Sequence, residues 1–327
     1  MTPRLRVLTW HVHGSYLYYL GHCPHDFYLP VKEGRPEGYG GRCGTLPWPE
    51  NLREVSAEEV RSLPLDCILF QSRKNFEVDQ HEILSPAQRR LPRIYLEHDP
   101  PRETPTDTRH VVDDPETLLC HVTHFNDLMW DSGSTPTRVI EHGVVVPPAG
   151  RDREGLARGI TVVNGLRKRG RRLGLDVFER VRQEVPIDLI GMQSEEVGGL
   201  GEVPHGQLPS FLSQYRFFFN PIRYTSLGLA VCEAMMLGLP VIGLATTEMV
   251  TAVENGVSGY VSTNVQSLIT IMKRLLGDPN EARKLGEGAR CRAVERFGIE
   301  RFIRDWDEAL RFVCGGTLRN GVSLARQ

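Results

Sequence analysis

The chain has 327 residues and a net charge of −2, with 40% hydrophobic and 24% charged residues. This length exceeds what one core comfortably uses and predicts two domains of about 150 residues each. The near-neutral charge gives no electrostatic argument for a nucleic-acid partner.

The cysteines and the N-terminus bear on location. The seven cysteines are odd in number and scattered, which favours reduced thiols over a disulfide framework. The N-terminus lacks the apolar core of a signal peptide, and no stretch approaches the roughly 20 apolar residues of a membrane span. We therefore expect a cytoplasmic protein that meets a membrane at most peripherally.

Short apolar, β-rich runs alternate with helix-like or loop segments in the first half of the chain. These runs span residues 5–12, 66–72, 93–99, 117–123 and 138–144. Their spacing is typical of a parallel sheet wound with helices. Residues 145–155 combine paired prolines with charge and form the best linker candidate. We predict an N-terminal domain at 1–150 and a C-terminal domain at 151–327.

A second series of strands begins near residue 159. Strands are predicted at 159–165, 187–192, 216–221, 239–244 and 258–262, and helices at 174–185, 227–238 and 267–277. The predicted fold class is α/β, with two Rossmann-like, doubly wound domains facing across a cleft. In such sheets, ligands bind beyond the carboxyl ends of the strands.

The stretch 220–243, NPIRYTSLGLAVCEAMMLGLPVIG, carries the clearest functional signal. It predicts a strand, a loop at 222–228 and a helix that stops at Gly238. Backbone N–H groups at the start of that helix favour an anion such as a phosphate. Thr225 or Ser226 is the predicted helix cap.

Glu233 lies about one and a half turns into the same helix. Its carboxylate can accept hydrogen bonds from two vicinal hydroxyls, as on a ribose. The alternative is that Glu233 is merely a solvent-exposed helix residue.

The segment TSLGLAVCEAMMLGLPVIG resembles the nucleotide-sugar motif of the retaining glycosyltransferases of family 4 and their relatives, which have the GT-B fold. The matching positions are Glu233, Ala234, Gly238, Pro240 and Val241. The resemblance implies that Glu233 holds the ribose of a donor nucleotide. It also implies that the preceding loop lies by the donor diphosphate; the loop residues are Ser226, Leu227, Gly228 and Leu229.

Two positions depart from the family pattern. Thr225 stands where the family has its first glutamate, a donor contact in the catalytic site. A neutral hydroxyl can hydrogen-bond a sugar but cannot supply negative charge. Downstream, Thr247 and Glu248 stand at two family glycines and Thr251 stands at the family acid. Glu248 is nevertheless a candidate to reach the sugar from this loop.

The segment VVNGLRKRGRRLGLDVF resembles the family's Gly-Arg-rich loop, whose basic side chains neutralise the donor diphosphate. Gly174 and Asp176 match, but Leu173 stands at the lysine position. The charge then falls to Arg172 or to another basic residue of the run, namely Arg167, Lys168, Arg169 or Arg171. The alternatives are a solvated loop and an RNA-binding patch.

The similarity extends to the end of the chain and, more weakly, to the first half. Residues 254–310 resemble the family's C-terminal ending, which implies that a last helix at about 298–313 crosses back to the N-terminal domain. His13, Gly14 and Ser15 resemble the glycine loop after the first strand, which makes them acceptor-binding candidates. His98, in IYLEHDPP, resembles the histidine that faces the donor sugar and is a catalytic candidate. Glu97 and Asp99 flank it and are candidates to set its protonation.

Metal chemistry is a rival interpretation of the N-terminal half. Histidines and cysteines that could bind zinc lie close in sequence, at His11, His13, His22, Cys23, His25 and Cys43. Their spacing lacks the paired ligands of a structural zinc site. We expect no metal and no other cofactor.

The sequence thus predicts a metal-independent glycosyltransferase that moves a sugar from a nucleotide-diphosphate sugar to an acceptor hydroxyl, with retention of configuration. The acceptor is a sugar or another small molecule, and the family association is with polysaccharide synthesis. A non-catalytic nucleotide-sugar-binding protein and a nucleotide-sugar 2-epimerase are the alternatives. The nucleobase, the sugar, the acceptor and the oligomeric state stay open.

Overall fold

The computed structural model describes residues 3–145 and 156–315. They form two compact units. The first contains the chain up to Gly143 together with the helix that begins at Ile299, and the second spans Val144–Gly298. Apart from Val145, the predicted linker at 145–155 lies outside the described residues.

The first unit is built on a parallel sheet that contains seven strands within the described residues. The strands are β1 (Arg6–Thr9), β2 (Asp26–Val31), β3 (Leu52–Ser56), β4 (Cys67–Phe70), β5 (Arg93–Glu97), β6 (Thr117–His121) and β7 (Thr137–Val139). Their order is β3-β2-β1-β4-β5-β6-β7. The chain therefore winds outward from β1 in one direction and then in the other, so this sheet is doubly wound.

The second unit has a parallel sheet with five strands among the described residues. They are β8 (Leu156–Val162), β9 (Ile187–Ile190), β10 (Tyr215–Asn220), β11 (Val241–Leu244) and β12 (Gly259–Ser262). Their order is β12-β11-β10-β8-β9. The central strand β10 is buried along its whole length, as expected for a parallel strand that is covered on both faces.

Helices lie between many of these strands and follow the last one. In chain order they are α1 (Gly14–Leu20), α2 (Gln80–Ile83), α3 (His124–Met129), α4 (Leu166–Arg169), α5 (Leu175–Arg182), α6 (Leu208–Leu212), α7 (Leu229–Met236), α8 (Met249–Ala252), α9 (Val265–Gly277), α10 (Pro279–Phe297) and α11 (Ile299–Cys314). Helix α11 belongs to the first unit. It buries residues three and four apart, such as Phe302, Trp306 and Ala309, which is the stripe of an amphipathic helix that packs on a core.

The prediction of two Rossmann-like, doubly wound sheets is confirmed, but two strands were missing from it. Strand β2 contains Pro30, which normally argues against a central strand. Its ladder with β1 stops at Tyr28, so Pro30 lies where only β3 pairs with the strand. In β3 only Leu52 is buried, so this strand shows no apolar run.

Gly174 fixes how the basic segment meets the end of β10. Its φ angle is +82°, a conformation that glycine adopts without strain. A Cβ atom at this position would lie 1.9 Å from the carbonyl oxygen of Pro221. The two backbone segments can approach this closely only because residue 174 has no side chain.

Replacing Gly174 with alanine should lower the free energy of unfolding by about 3 kcal/mol, because backbone strain and a steric clash add. Gly165→Ala is the matched control. Gly165 is also in the left-handed region, with φ +58° and ψ +40°, but its Cβ would meet only the Gln193 side-chain oxygen, at 3.6 Å, so the loss should be about 1 kcal/mol. Urea denaturation followed by circular dichroism measures both. Equal losses would show that the contact with Pro221 does not matter.

Candidate functional site

The loop 221–228 connects β10 to α7 and ends in an open helix N-terminus. The N-cap residue is Gly228, and no side chain caps the helix. The prediction that Thr225 or Ser226 caps it was therefore wrong. Helix α7 starts only at Leu229, so neither residue occupies its N-cap position. A Cβ on Gly228 would meet no atom within 4 Å. The start of α7 thus has room beside it and the polarity that favours an anion.

Helix α7 carries Glu233 among apolar neighbours. Glu233 is 7% exposed, and Cys232 and Ala234 on either side are fully buried. The interpretation of Glu233 as an ordinary solvent-exposed helix residue is therefore wrong. A buried carboxylate is costly unless hydrogen bonds satisfy it, so Glu233 is a polar site within an otherwise apolar helix.

Gly238 ends α7 in the manner the sequence indicates. It has a φ angle of +78°, and its N–H donates to the carbonyl of Met235 while that of Leu239 donates to Ala234, each at 2.9 Å. These two bonds form a Schellman motif. The chain then turns directly into β11.

Two threonines after β11 hold the loop 221–228 from the other side. The Thr246 hydroxyl donates to the carbonyl of Ile222 at 3.1 Å, and the Thr247 hydroxyl donates to that of Ser226 at 3.4 Å. Thr247 has a φ angle of +51°, which is unusual for a β-branched residue. Glycine would adopt this conformation more easily, so the threonine accepts backbone strain at a point where its hydroxyl contacts the loop.

The basic segment before α5 is joined to the same loop by an ion pair. Arg223 donates to both carboxylate oxygens of Asp176, at 2.5 and 2.7 Å. Arg171 donates to Asp176 at 2.7 Å. The backbone N–H groups of Arg223 and Tyr224 both donate to the carbonyl of Arg172. The hydrogen bonds from Arg223 are the main reason why the pKa of Asp176 is lowered from its usual value.

The two arginines predicted to bind a diphosphate differ in their surroundings. Arg167 is exposed on α4, and its Nε donates to the carbonyl of Glu196 at 3.2 Å. Arg172 is half-buried in the turn that precedes α5. Arg172 is also the residue whose backbone is tied to the loop 221–228, so the structure brings it, rather than Arg167, next to that loop.

Glu248 is occupied by contacts within the second unit. It is 2% exposed, and its Oε1 lies 2.6 Å from an Nη atom of Arg296 in α10. The Thr251 hydroxyl donates to the same carboxylate oxygen. These contacts hold the loop between β11 and α8 against α10, which is a structural role.

His98 follows β5 at the carboxyl edge of the first sheet. Its Nε2 lies 3.0 Å from Oε1 of Gln71, and its ring lies 4.3 Å from that of His13 and 4.9 Å from that of Tyr16. The structure therefore brings two predicted site residues, His13 and His98, into contact. Burial and the nearby His13 and His142 place the pKa of His98 well below its usual value.

The carboxylates that flank His98 do not set its protonation, so that prediction was wrong. Glu97 faces His110, with Oε2 3.1 Å from Nε2, and its other oxygen accepts from the backbone N–H of Asp99. Asp99 pairs with Arg102. Side chains on one strand alternate in direction, so the neighbours of His98 in sequence point to other partners.

The acceptor candidates lie at the start of α1. His13 is the N-cap residue and is exposed, while Gly14 and Ser15 are half-buried in the first turn. Tyr16 follows them, fully buried, and its hydroxyl accepts a hydrogen bond of 3.0 Å from Nε1 of Trp306 in α11. Sequence reasoning missed Tyr16 and Gln71, although Gln71 carries the general signal of a polar residue just after a buried strand.

The zinc interpretation finds no support in the described ranges. Across residues 3–145 and 156–315, no three His, Cys, Asp or Glu side chains are grouped as metal ligands would be. His11 instead places Nδ1 2.6 Å from the carbonyl oxygen of Gly41. Over the same ranges, no helix has both the length and the apolar character needed to cross a membrane.

Solved structures share this architecture over nearly the whole chain. Sucrose-phosphate synthase from Thermosynechococcus elongatus has a TM-score of 0.72 at 15% identity, covering 96% of this chain and 100% of that one. HepE from Anabaena, in complex with UDP, has a TM-score of 0.69 at 14% identity over 94% of this chain and 100% of HepE. A glycosyltransferase from Rickettsia africae has a TM-score of 0.63 at 12% identity over 95% and 99%. These likenesses show the GT-B fold.

Residues 192–292 match the family model of the glycosyl transferases group 1. The matched segment contains Glu233, the loop 221–228 and the two threonines that hold it. The resemblance inferred from the sequence is confirmed over these residues, and with it the prediction of an enzyme of the glycosyltransferase class. No curated protein sequence matches the chain significantly.

Replacing Glu248 with glutamine tests its structural role. The change leaves the half-buried Arg296 guanidinium without its counter-ion, so the free energy of unfolding should fall by about 2 kcal/mol, between the values for exposed and buried pairs. Glu254→Gln is the control, because the Glu254–Arg292 pair is exposed and should contribute less than about 1 kcal/mol. A fully stable Glu248→Gln protein that had lost sugar transfer would instead indicate direct contact with the substrate.

The Asp176–Arg223 pair should make stability depend on pH in the acid range. Because the folded pKa of Asp176 is depressed, its stabilisation is present above the ordinary carboxyl pKa of about 4 and disappears as the pH falls through the folded value. The pair is partly exposed, so we expect Asp176→Asn to cost about 1 kcal/mol near pH 7. Denaturation curves of the two proteins should converge as the pH approaches 3. The exposed Asp107→Asn serves as control, and a pH-independent difference would contradict the assignment.

Proposed function

We propose that this chain transfers a sugar from a nucleotide-diphosphate sugar to an acceptor hydroxyl, without a metal ion and with retention of configuration. The observation that carries the proposal is the open N-terminus of α7, whose preceding loop is bonded directly to the arginine-rich segment before α5. Backbone N–H groups and guanidinium groups together offer the positive charge that a diphosphate requires.

The second unit would hold the donor. The N–H groups at Gly228 and Leu229 bind the diphosphate, and Ser226 and Leu227, both buried, keep the loop in place. Arg172 supplies charge to the phosphates, with Arg167 as a second candidate. Glu233 accepts hydrogen bonds from the ribose hydroxyls, the role that the resemblance to the family motif implies.

The remaining site residues would contact the sugars. Thr225 offers a neutral hydroxyl to the donor sugar, and His98 offers an imidazole nitrogen. His13, Gly14 and Ser15 form the acceptor side, and the ring contact between His13 and His98 supports a shared role. For Glu248 we propose the structural role described above in place of a sugar contact, since Arg296 and Thr251 already occupy its carboxylate.

The chemistry follows from these groups. The bond between the anomeric carbon and the diphosphate oxygen breaks as the acceptor oxygen bonds to the same face of that carbon. The acceptor proton passes to the departing diphosphate, so no protein nucleophile takes part. Preorganised N–H and guanidinium donors stabilise the charge that develops on the leaving group.

The observed contacts argue against one of the two alternatives. A 2-epimerase needs carboxylates for elimination chemistry, and the three available acids, Glu97, Asp99 and Glu248, are paired with His110, Arg102 and Arg296. A non-catalytic nucleotide-sugar-binding protein is favoured by the neutral Thr225. Turnover decides between enzyme and binder, because a binder would hold the donor without consuming it.

HepE, which shares the fold, has been solved with UDP and with UDP-glucose, so uridine nucleotides are the first donors to test.

All seven cysteines are free thiols, which supports a reducing compartment such as the cytoplasm.

A thermal-shift panel of UDP, GDP, ADP and TDP with their common sugars tests the proposal. A nucleotide at about 100 times its dissociation constant should add about 2.7 kcal/mol of stability. Glu233→Ala should abolish this gain, whereas Met236→Ala, a change in the same helix at a partly exposed position, should retain it. If no nucleotide stabilises the wild-type protein, the donor site does not exist. If one does but no sugar is transferred or hydrolysed, the protein is a binder.

A further inference from the structure

A buried amide at the end of β4 has its orientation fixed by its neighbours. Gln71 is 4% exposed, and its Nε2 lies 2.8 Å from Oγ1 of Thr9 and 2.9 Å from the carbonyl oxygen of Trp10. A backbone carbonyl can only accept a hydrogen bond. The amide nitrogen must therefore face Trp10, and Oε1 must face the other way.

The amide oxygen of Gln71 in turn determines where His98 carries its hydrogen. Oε1 lies 3.0 Å from Nε2 of His98, and an amide oxygen offers no proton to share. Nε2 must therefore be the protonated nitrogen, which leaves Nδ1 with a lone pair in the neutral ring.

The surroundings of His98 keep the ring neutral. The titratable side chains nearest to it are His13 and Tyr16 at the start of α1, and His142 beyond β7. None of them is an anion at neutral pH, and a charge on either histidine would oppose a second charge on His98. Burial acts in the same direction and keeps the pKa of His98 low.

We propose that Gln71 is a positioning residue that holds His98 as the neutral Nε2–H tautomer, so that Nδ1 serves as a hydrogen-bond acceptor for a hydroxyl of the bound sugar. The tautomer is a property of the ligand-free protein. The role of Nδ1 rests on the function proposed above.

This arrangement defines what His98 can recognise. A neutral Nδ1 accepts hydrogen bonds and donates none, so it suits a hydroxyl or an N–H group and offers nothing to a phosphate oxygen. Recognition through His98 would then distinguish a nucleotide that carries a sugar from the nucleoside diphosphate alone.

The first experiment determines the tautomer by ¹⁵N–¹H correlation spectroscopy of the full chain labelled with ¹⁵N-histidine. The His98 signals are identified by their absence from the spectrum of His98→Gln. We expect one protonated and one unprotonated nitrogen, with the hydrogen on Nε2, unchanged down to about pH 6. Protonation on Nδ1, or an imidazolium at neutral pH, would overturn the proposal. This result requires only the wild-type protein and the His98→Gln reference.

Two variants then test whether Gln71 determines the tautomer of His98. In Gln71→Met the acceptor is lost, and the single tautomer should become a mixture. In Gln71→Glu a carboxylate faces the ring, and the pKa of His98 should rise. Gln88→Met is the matched control, because Gln88 is an equally buried glutamine of the same unit whose Nε2 donates to the carbonyls of Val60 and Leu63. If Gln88→Met alters the His98 signals as much as Gln71→Met does, the effect is general destabilisation and the proposal fails.

A binding experiment tests the ligand role separately. With UDP-glucose and UDP as probes, Gln71→Met should weaken the nucleotide sugar in proportion to the loss of the Nε2–H tautomer, about twofold for an equal mixture, and should leave UDP unchanged. An equal loss for both probes would overturn the assignment of Nδ1 to the sugar. If the nucleotide panel reveals no ligand at all, the ligand role fails with the proposed function, while the tautomer is still decided by spectroscopy.

Discussion

The ion pair between Arg223 and Asp176 is the contact on which the candidate donor site depends. It joins two segments that lie 47 positions apart in the chain and orders both of them at the carboxyl edge of one sheet. Gly174 completes the junction, because the absence of a side chain lets the basic segment approach Pro221. The open end of α7 and the arginine-rich turn are neighbours because of this junction, so the geometry of the candidate donor site is a product of packing rather than of any single motif.

Three acidic side chains of the candidate sites are paired within their own unit. Glu248 balances Arg296, Asp176 balances Arg223, and Glu97 accepts from His110. In the second unit, the loop 221–228 and the arginine-rich segment offer N–H and guanidinium donors, and Glu233 is a buried carboxylate. This distribution suits a leaving group that arrives and departs as an anion.

The sequence predicted those features of the fold and site that local pattern encodes. The described strands other than β2 and β3, the stop of α7 at Gly238 and the family motif around Glu233 follow from apolar runs, from glycine geometry and from matching residues. The contacts of Gln71 and Arg223 could not be predicted, because their partners lie about 60 and 47 positions away and nothing local specifies them. The predicted cap at Thr225 or Ser226 failed because α7 starts only at Leu229.

Helix α11 lies last in the described chain, yet it completes the core of the first unit, where Phe302 and Trp306 are fully buried. During synthesis, the second unit is contiguous and can fold once Gly298 has left the ribosome. The first unit must wait for residues made after the second is finished, and until then it exposes apolar surface of the kind that aggregates. A chain that stopped before Ile299 would therefore hold a complete second unit beside a first unit without its closing helix.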